Sequence, residues 1–112
     1  MNKPDAVLTM KETEKWMAFL NIFRGIHPRI ETQAIQVFLL VAQYEGRAQH
    51  QIADMLGTTQ ASVSRNLALL ANYNDNSMGL VVLRESPEDR RHKEIHLTSK
   101  GRMILQQIKA IS

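Results

Sequence analysis

Two short helical patterns, Gln49 to Leu56 and Gln60 to Ala71, stand only a tight turn apart, and this pair constrains the fold more than any other stretch of the chain. Helices joined so closely must cross while sharing one core, so small and apolar residues have to recur on their facing sides. Ala53 permits the close approach, and Ile52, Leu56, Val63, Leu67 and Leu70 supply the shared core. Gly57 can take the positive φ of the turn, and Thr59 can cap the second helix through its hydroxyl. The pattern predicts a helix-turn-helix over about residues 49–71.

What surrounds the pair predicts the remaining elements. Thr9-Met10-Lys11-Glu12 has capping-box spacing, and Trp16, Phe19, Leu20 and Phe23 then recur at helical intervals until Gly25 and Pro28, predicting a helix from about Met10 to Arg24. A second helix from Glu31 or Thr32 to Tyr44, closed by Gly46, carries Ile35, Phe38, Leu39, Val41 and Ala42 and belongs in the middle of the core. After the second helix of the pair, Tyr73 to Gly79 is rich in turn formers and reads as a loop. Leu80-Val81-Val82-Leu83 and a strand in which Ile95 and Leu97 alternate with Glu94 and His96 make a hairpin around Ser86-Pro87-Glu88-Asp89. Thr98 caps a last helix, about Ser99 to Ile111, with Ile104, Ile108 and Ile111 on one face. The expected fold is mainly α with a small β-hairpin: a winged helix-turn-helix in one domain.

Composition narrows the function. With no cysteine in 112 residues, disulfides, thiolate metal sites and cysteine nucleophiles are excluded, and the cytoplasm is the expected compartment. The longest apolar run, Val37 to Ala42, is far short of the roughly 20 residues of a spanning helix, so no membrane partner is expected. Net charge is +3, and its distribution says more than its size. Residues 1–46 hold five basic and five acidic side chains, residues 47–112 nine basic and six acidic, so the excess lies with the helix pair and hairpin.

If Val63, Leu67 and Leu70 point inward, a turn of about 100° per residue puts Ala61 and Arg65 opposite them, with Ser62 and Ser64 on the flanks. That small, polar, basic face suits a DNA major groove, where arginine can reach guanine, serine can bond bases or phosphates, and an alanine methyl can touch a thymine methyl. The alternative is an amphipathic helix whose outer face is only solvated. In the hairpin, Arg84, Arg90, Arg91 and Lys93 crowd a protruding loop that can meet phosphates or a minor groove, although Glu85, Glu88, Asp89 and Glu94 offset their charge. The candidate DNA-binding set is Thr59, Gln60, Ala61, Ser62, Ser64 and Arg65 of the helix with Arg84, Asp89, Arg90, Arg91 and Lys93 of the wing.

These residues resemble the MarR family of winged-helix regulators. The resemblance rests on Val63-Ser64-Arg65 with Leu67 and Leu70, on Gly79-Leu80-Val81, and above all on Asp89-Arg90-Arg91, five residues, Leu97-Thr98, two residues, Gly101, and it spans roughly residues 30–105. It implies that Gln60 to Ala71 is the recognition helix and that Arg91 is the wing arginine of the minor groove, oriented by Asp89. It implies too that Arg90 and Lys93 contact phosphates, and that a homodimer reads a pseudo-palindromic double-stranded site. Two features differ from the family pattern: the stretch from Leu70 to Gly79 is about five residues longer than usual, and fourteen residues follow Thr98 where the family's dimerising helices take more. Trp16, Phe19, Leu20, Phe23, Ile104, Ile108 and Ile111 therefore either form a compact dimer interface or close the monomer's own core. Family members often release DNA to a small aromatic ligand, and this sequence specifies no such effector.

Other functions have thinner support. The best catalytic or metal-binding trio, His92, Glu94 and His96, would share one face of the second strand, and it reads as the solvent face of the hairpin. His27 and His50 stand alone in the sequence. No catalytic residue, metal or cofactor is expected. The reading favours a transcriptional repressor over an activator, with phage or plasmid replication, partition, DNA packaging, or a protein-binding module as alternatives.

Overall fold

The computed structural model describes residues 7–71 and 77–112; of the loop read over Tyr73 to Gly79, residues 73–76 lie outside this range. The elements are α1 (Met10–Ile26), α2 (Thr32–Gln43), α3 (Gln49–Leu56), α4 (Gln60–Leu70), β1 (Val81–Glu85), β2 (Lys93–Leu97) and α5 (Ser99–Ile111). They form a winged helix-turn-helix.

Local chemistry starts most of the helices. Thr9 and Glu12 exchange side-chain and backbone hydrogen bonds, both 3.0 Å, at the start of α1. The Thr59 and Thr98 hydroxyls accept from Ser62 N at 3.1 Å and Gly101 N at 3.0 Å, replacing partners that the first turn of a helix lacks. α1 runs two residues past the expected end at Arg24. Gly25 is tolerated inside the helix, and the chain turns extended only at His27 (φ −147°, ψ 102°), where the ring of Pro28 disfavours helical backbone. Gly57 ends α3 with φ 73°, the left-handed conformation that the turn between α3 and α4 requires.

α2 is the central helix: Ala34, Val37, Phe38 and Val41 are fully buried, and α2 packs against α3, α4 and β2, while α1 packs against α5. Phe38 meets Phe23 of α1 edge to face with ring centroids 5.7 Å apart. Of the seven apolar residues proposed for an interface or a core, Phe23 and Ile104 are buried and Phe19 and Ile108 pack against the core. Trp16 and Leu20 stay 56% and 45% exposed, beside exposed Met17 and, on α5, exposed Met103.

The stretch between α4 and the wing does not leave the wing free. Backbone N–H groups of Met78, Gly79 and Leu80 donate to the carbonyls of Leu69, Ala71 and Leu70, each at 2.7 Å, so the chain leaves α4 and returns to its end. The hairpin pairs Val81 with Leu97 and Glu85 with Lys93, which carries β1 two residues past the expected Leu83. A further strand-like pairing joins it. Gly46 N donates to Ile95 O at 2.9 Å, Ile95 N to Arg47 O at 3.0 Å, and Ala48 pairs with Glu94, so the α2–α3 linker lies along β2.

Glu45, at the end of α2, ties this linker to the rest. Its Oε2 accepts from Leu97 N at 2.9 Å and from Arg102 Nη2 of α5 at 2.6 Å. Partial burial alone would raise its pKa, but the Leu97 N–H, the Arg102 hydrogen bond and the charges of Arg102 and His96 outweigh it and hold the carboxyl below its ordinary 4.5. A lowered folded-state pKa means that the tie contributes in full above the ordinary 4.5 and is lost below it, as the pH falls through the lower folded-state pKa. Glu45→Gln is expected to cost about 1–2 kcal/mol at pH 7. Urea unfolding across an acid series should show the wild-type and variant stabilities converging below pH 4.5. Parallel curves would mean that the ionised carboxylate contributes nothing to the tie.

Candidate nucleic-acid interface

The inner face of α4 is apolar and closed: Val63, Leu67 and Leu70 are at most 1% exposed. With that face fixed, the helical repeat turns Gln60, Ala61, Ser64 and Arg65 to solvent, as expected. Thr59 is exposed as well, with its hydroxyl engaged in the cap. Ser62 goes the other way: it is half-buried, and its hydroxyl donates to Gln33 Oε1 of α2 instead of standing free on the outer face.

The turn between β1 and β2 is built from its own polar groups. Ser86 N donates to His92 O and His92 N to Asp89 O, both at 3.1 Å. The Asp89 carboxylate accepts from Arg91 three times, from its N at 3.0 Å, its Nε at 3.1 Å and an Nη at 3.3 Å. These Arg91 side-chain bonds lower the Asp89 pKa, helped by the Arg91 N–H and the His92 charge against a small opposing effect of burial. Arg91 is thereby held in one orientation while its side chain remains 87% exposed.

Helix and wing meet in one cleft, lined by Ala48, Gln49 and His50 at the start of α3, Gln60 at the start of α4, and Leu83, Arg91, His92 and Lys93 of the wing. Gln49 Nε2 donates to Gln60 O at 2.9 Å and fastens the two helix starts together. His50 and His92 face each other across the cleft with ring centroids 5.3 Å apart. His50 therefore does not stand alone, and with Gln49 it is a cleft residue that the sequence reading missed; both sit at a helix start, a position open to ligands, which was the available signal. Arg84 and Arg90 are exposed but do not line the cleft. Strand alternation puts Arg84 on the face of Val82 and Glu94, opposite Lys93.

The trio His92, Glu94 and His96 is not assembled. His92 precedes β2 and turns to His50, whereas Glu94 and His96 pair with each other at 2.9 Å, half-buried beside Glu45. Glu94 and His96 are thus half-buried rather than on an open solvent face, because Glu45 lies against His96 while Arg84 of the same face stays exposed. Among the described residues no group of three or more His, Asp or Glu is placed to hold a metal ion, and no helix is long and apolar enough to cross a membrane.

A sequence model of the MarR family matches residues 30–92, more than half of the chain, from the approach to α2 through the wing turn. The chain belongs to the MarR family. Solved structures agree on the fold. The MarR-family chain is similar to the transcriptional repressor CouR bound to a 23-mer DNA duplex, with 29% identity and a TM-score of 0.66 over 88% of this chain and 65% of CouR. It is also similar to a MarR-like transcriptional regulator from Thermotoga maritima (24% identity, TM-score 0.63, 93% and 74% of the two chains). A third is Streptococcus pneumoniae FabT in complex with DNA (23%, 0.69, 88% and 65%). The chain thus spans just under two thirds of the CouR and FabT chains. No curated protein sequence matches it.

Proposed function

We propose that this MarR-family chain is a cytoplasmic transcriptional regulator of repressor type that binds double-stranded DNA by sequence, without catalysis. The observation that carries the proposal is the cleft shared by the start of α4 and the wing and lined by the Asp89-held Arg91, with Arg65 exposed further along the same helix. A helix with a small, polar, basic outer face fits a major groove, and a preoriented exposed arginine on a protruding hairpin fits the adjacent minor groove at low entropic cost. Lys93 and Arg90 serve as phosphate contacts. CouR and FabT, captured on DNA with this fold, support the assignment. Exposed Trp16, Met17 and Leu20 on α1 support a homodimer, which would read two half-sites about one helical turn apart.

The test is binding to random-sequence duplex DNA at two salt concentrations, followed by selection of the bound sequences. Arg65→Ala is expected to cost about 1–3 kcal/mol on the selected site and to relax base preference. Lys93→Ala should weaken all sequences alike and reduce the salt slope by about one. Enrichment of a pseudo-palindrome supports the dimer, and absence of wild-type binding at low salt overturns the proposal.

A further inference from the structure

Apolar packing sets which face of α4 is buried, but burial is not directional and leaves the finer rotation to be fixed. Direction comes from hydrogen bonds. Asn66, the buried polar residue among those described, is 4% exposed, and its Nδ2 donates to Gln33 Oε1 of α2 at 2.7 Å and to Ser62 O at 3.0 Å. Ser62 Oγ donates to the same Gln33 oxygen, and Gln33 Nε2 reaches Thr58 Oγ1 in the α3–α4 turn at 3.5 Å. One half-buried amide thus holds two residues a helical turn apart on α4, together with the turn that precedes it.

From this geometry we infer that Gln33 is a positioning residue for base recognition: it sets the rotation of α4 about its axis and hence where Ala61, Ser64 and Arg65 point. Ser62 adjoins Ala61, and Ser62 and Asn66 flank Ser64 and Arg65 in sequence, so a roll of the helix strains the two bonds to Gln33 as it moves Arg65. The lever is long. A guanidinium about 9 Å from the helix axis moves by about 3 Å on a 20° roll, close to the spacing of successive base pairs. Bidentate contacts to guanine tolerate only tenths of an ångström, whereas contacts of Lys93 with a phosphate tolerate far more. Loss of the clamp is therefore read as lost discrimination, with binding to unrelated DNA preserved. The core does not require this glutamine, since the apolar face of α2 is complete in Ala34, Val37, Phe38 and Val41.

The inference rests on the DNA-binding reading, and the experiment separates the two. Affinities of the wild type, Gln33→Leu and Gln33→Glu are measured on the selected duplex and on an unrelated duplex across a salt series, with melting temperatures alongside. Gln33→Leu, which leaves Ser62 and Asn66 without their acceptor, is expected to lower the ratio of specific to non-specific affinity about tenfold. Its non-specific affinity and salt slope should match the wild type. Gln33→Glu keeps the acceptor oxygen and should restore most of the ratio. Should leucine unfold the domain, Gln33→Ala, which admits water to both donors, carries the same measurement. An unchanged ratio in Gln33→Leu, or an equal fall on both duplexes, overturns the positioning role while DNA binding stands. A wild type that binds neither duplex overturns both.

Discussion

Gly101→Ala is expected to destabilise the fold by about 3 kcal/mol, although alanine ordinarily stabilises a helix interior by about 1 kcal/mol relative to glycine. Gly101 lies in the first turn of α5, where a Cβ would run into the carbonyl oxygen of Leu80, with the carbonyl carbon at 3.1 Å and Leu97 Cδ2 at 3.4 Å. The obstacle is backbone, and it is pinned. Leu80 O accepts from Thr98 N at 3.0 Å, and Leu80 N donates to Leu70 O at 2.7 Å. Relief would require α5 to move off the root of the wing, breaking the cap that Thr98 forms. At about 4 °C per kcal/mol for a domain of this size, the melting temperature should fall by about 12 °C in calorimetry. A value at or above wild type would show that α5 and the wing root do not meet as described.

Phe38→Ala carries the largest expected loss, about 3–5 kcal/mol, a substantial part of the 5–15 kcal/mol typical of a domain. Phe38 is fully buried at the point where α2 meets α1, and the edge-to-face contact with Phe23 is itself one of a pair, since Phe23 meets Phe19 at 5.4 Å. Truncation removes the ring and leaves a void that neighbouring helices cannot collapse into without losing their own contacts. The adjacent Leu39 is 37% exposed, so Leu39→Ala should cost about 1 kcal/mol or less. Urea unfolding of the two variants should separate them clearly. Equal losses would mean that α2 is not the central helix.

Both results turn on residues that the sequence marked for different reasons. Phe38 was legible because helical periodicity needs only the order of residues, and a helix apolar on most of its surface has one stable location. Gly101 stood out only as part of a pattern similar to the MarR family. Its physical reason, the Leu80 carbonyl, lies 21 positions away in the chain and appears only when α5 is laid on the wing. The recognition helix divides in the same way. Arg65, Ser64 and Ala61 face outward as the helical repeat requires. Ser62 sits on the flank, where the repeat cannot say whether the neighbour is solvent or Gln33, 29 positions earlier. Charge alone does not distinguish the three wing arginines; the family resemblance singles out Arg91 with Asp89, and in the structure Arg91, held by Asp89, is the one of the three that lines the cleft. His50 looked isolated because its neighbour His92 approaches from another element.

By itself, the sequence determined the helices, their caps at Thr9, Thr59 and Thr98, the left-handed turn at Gly57 and the hairpin, because each depends on hydrogen bonds and steric preferences acting within a few residues. Only the tertiary structure decided that the α2–α3 linker would join the sheet, that Glu45 would bind Arg102, and that Gln33 would hold α4. Those contacts join groups up to 57 positions apart, and their formation depends on how whole helices are seated, which no local preference encodes.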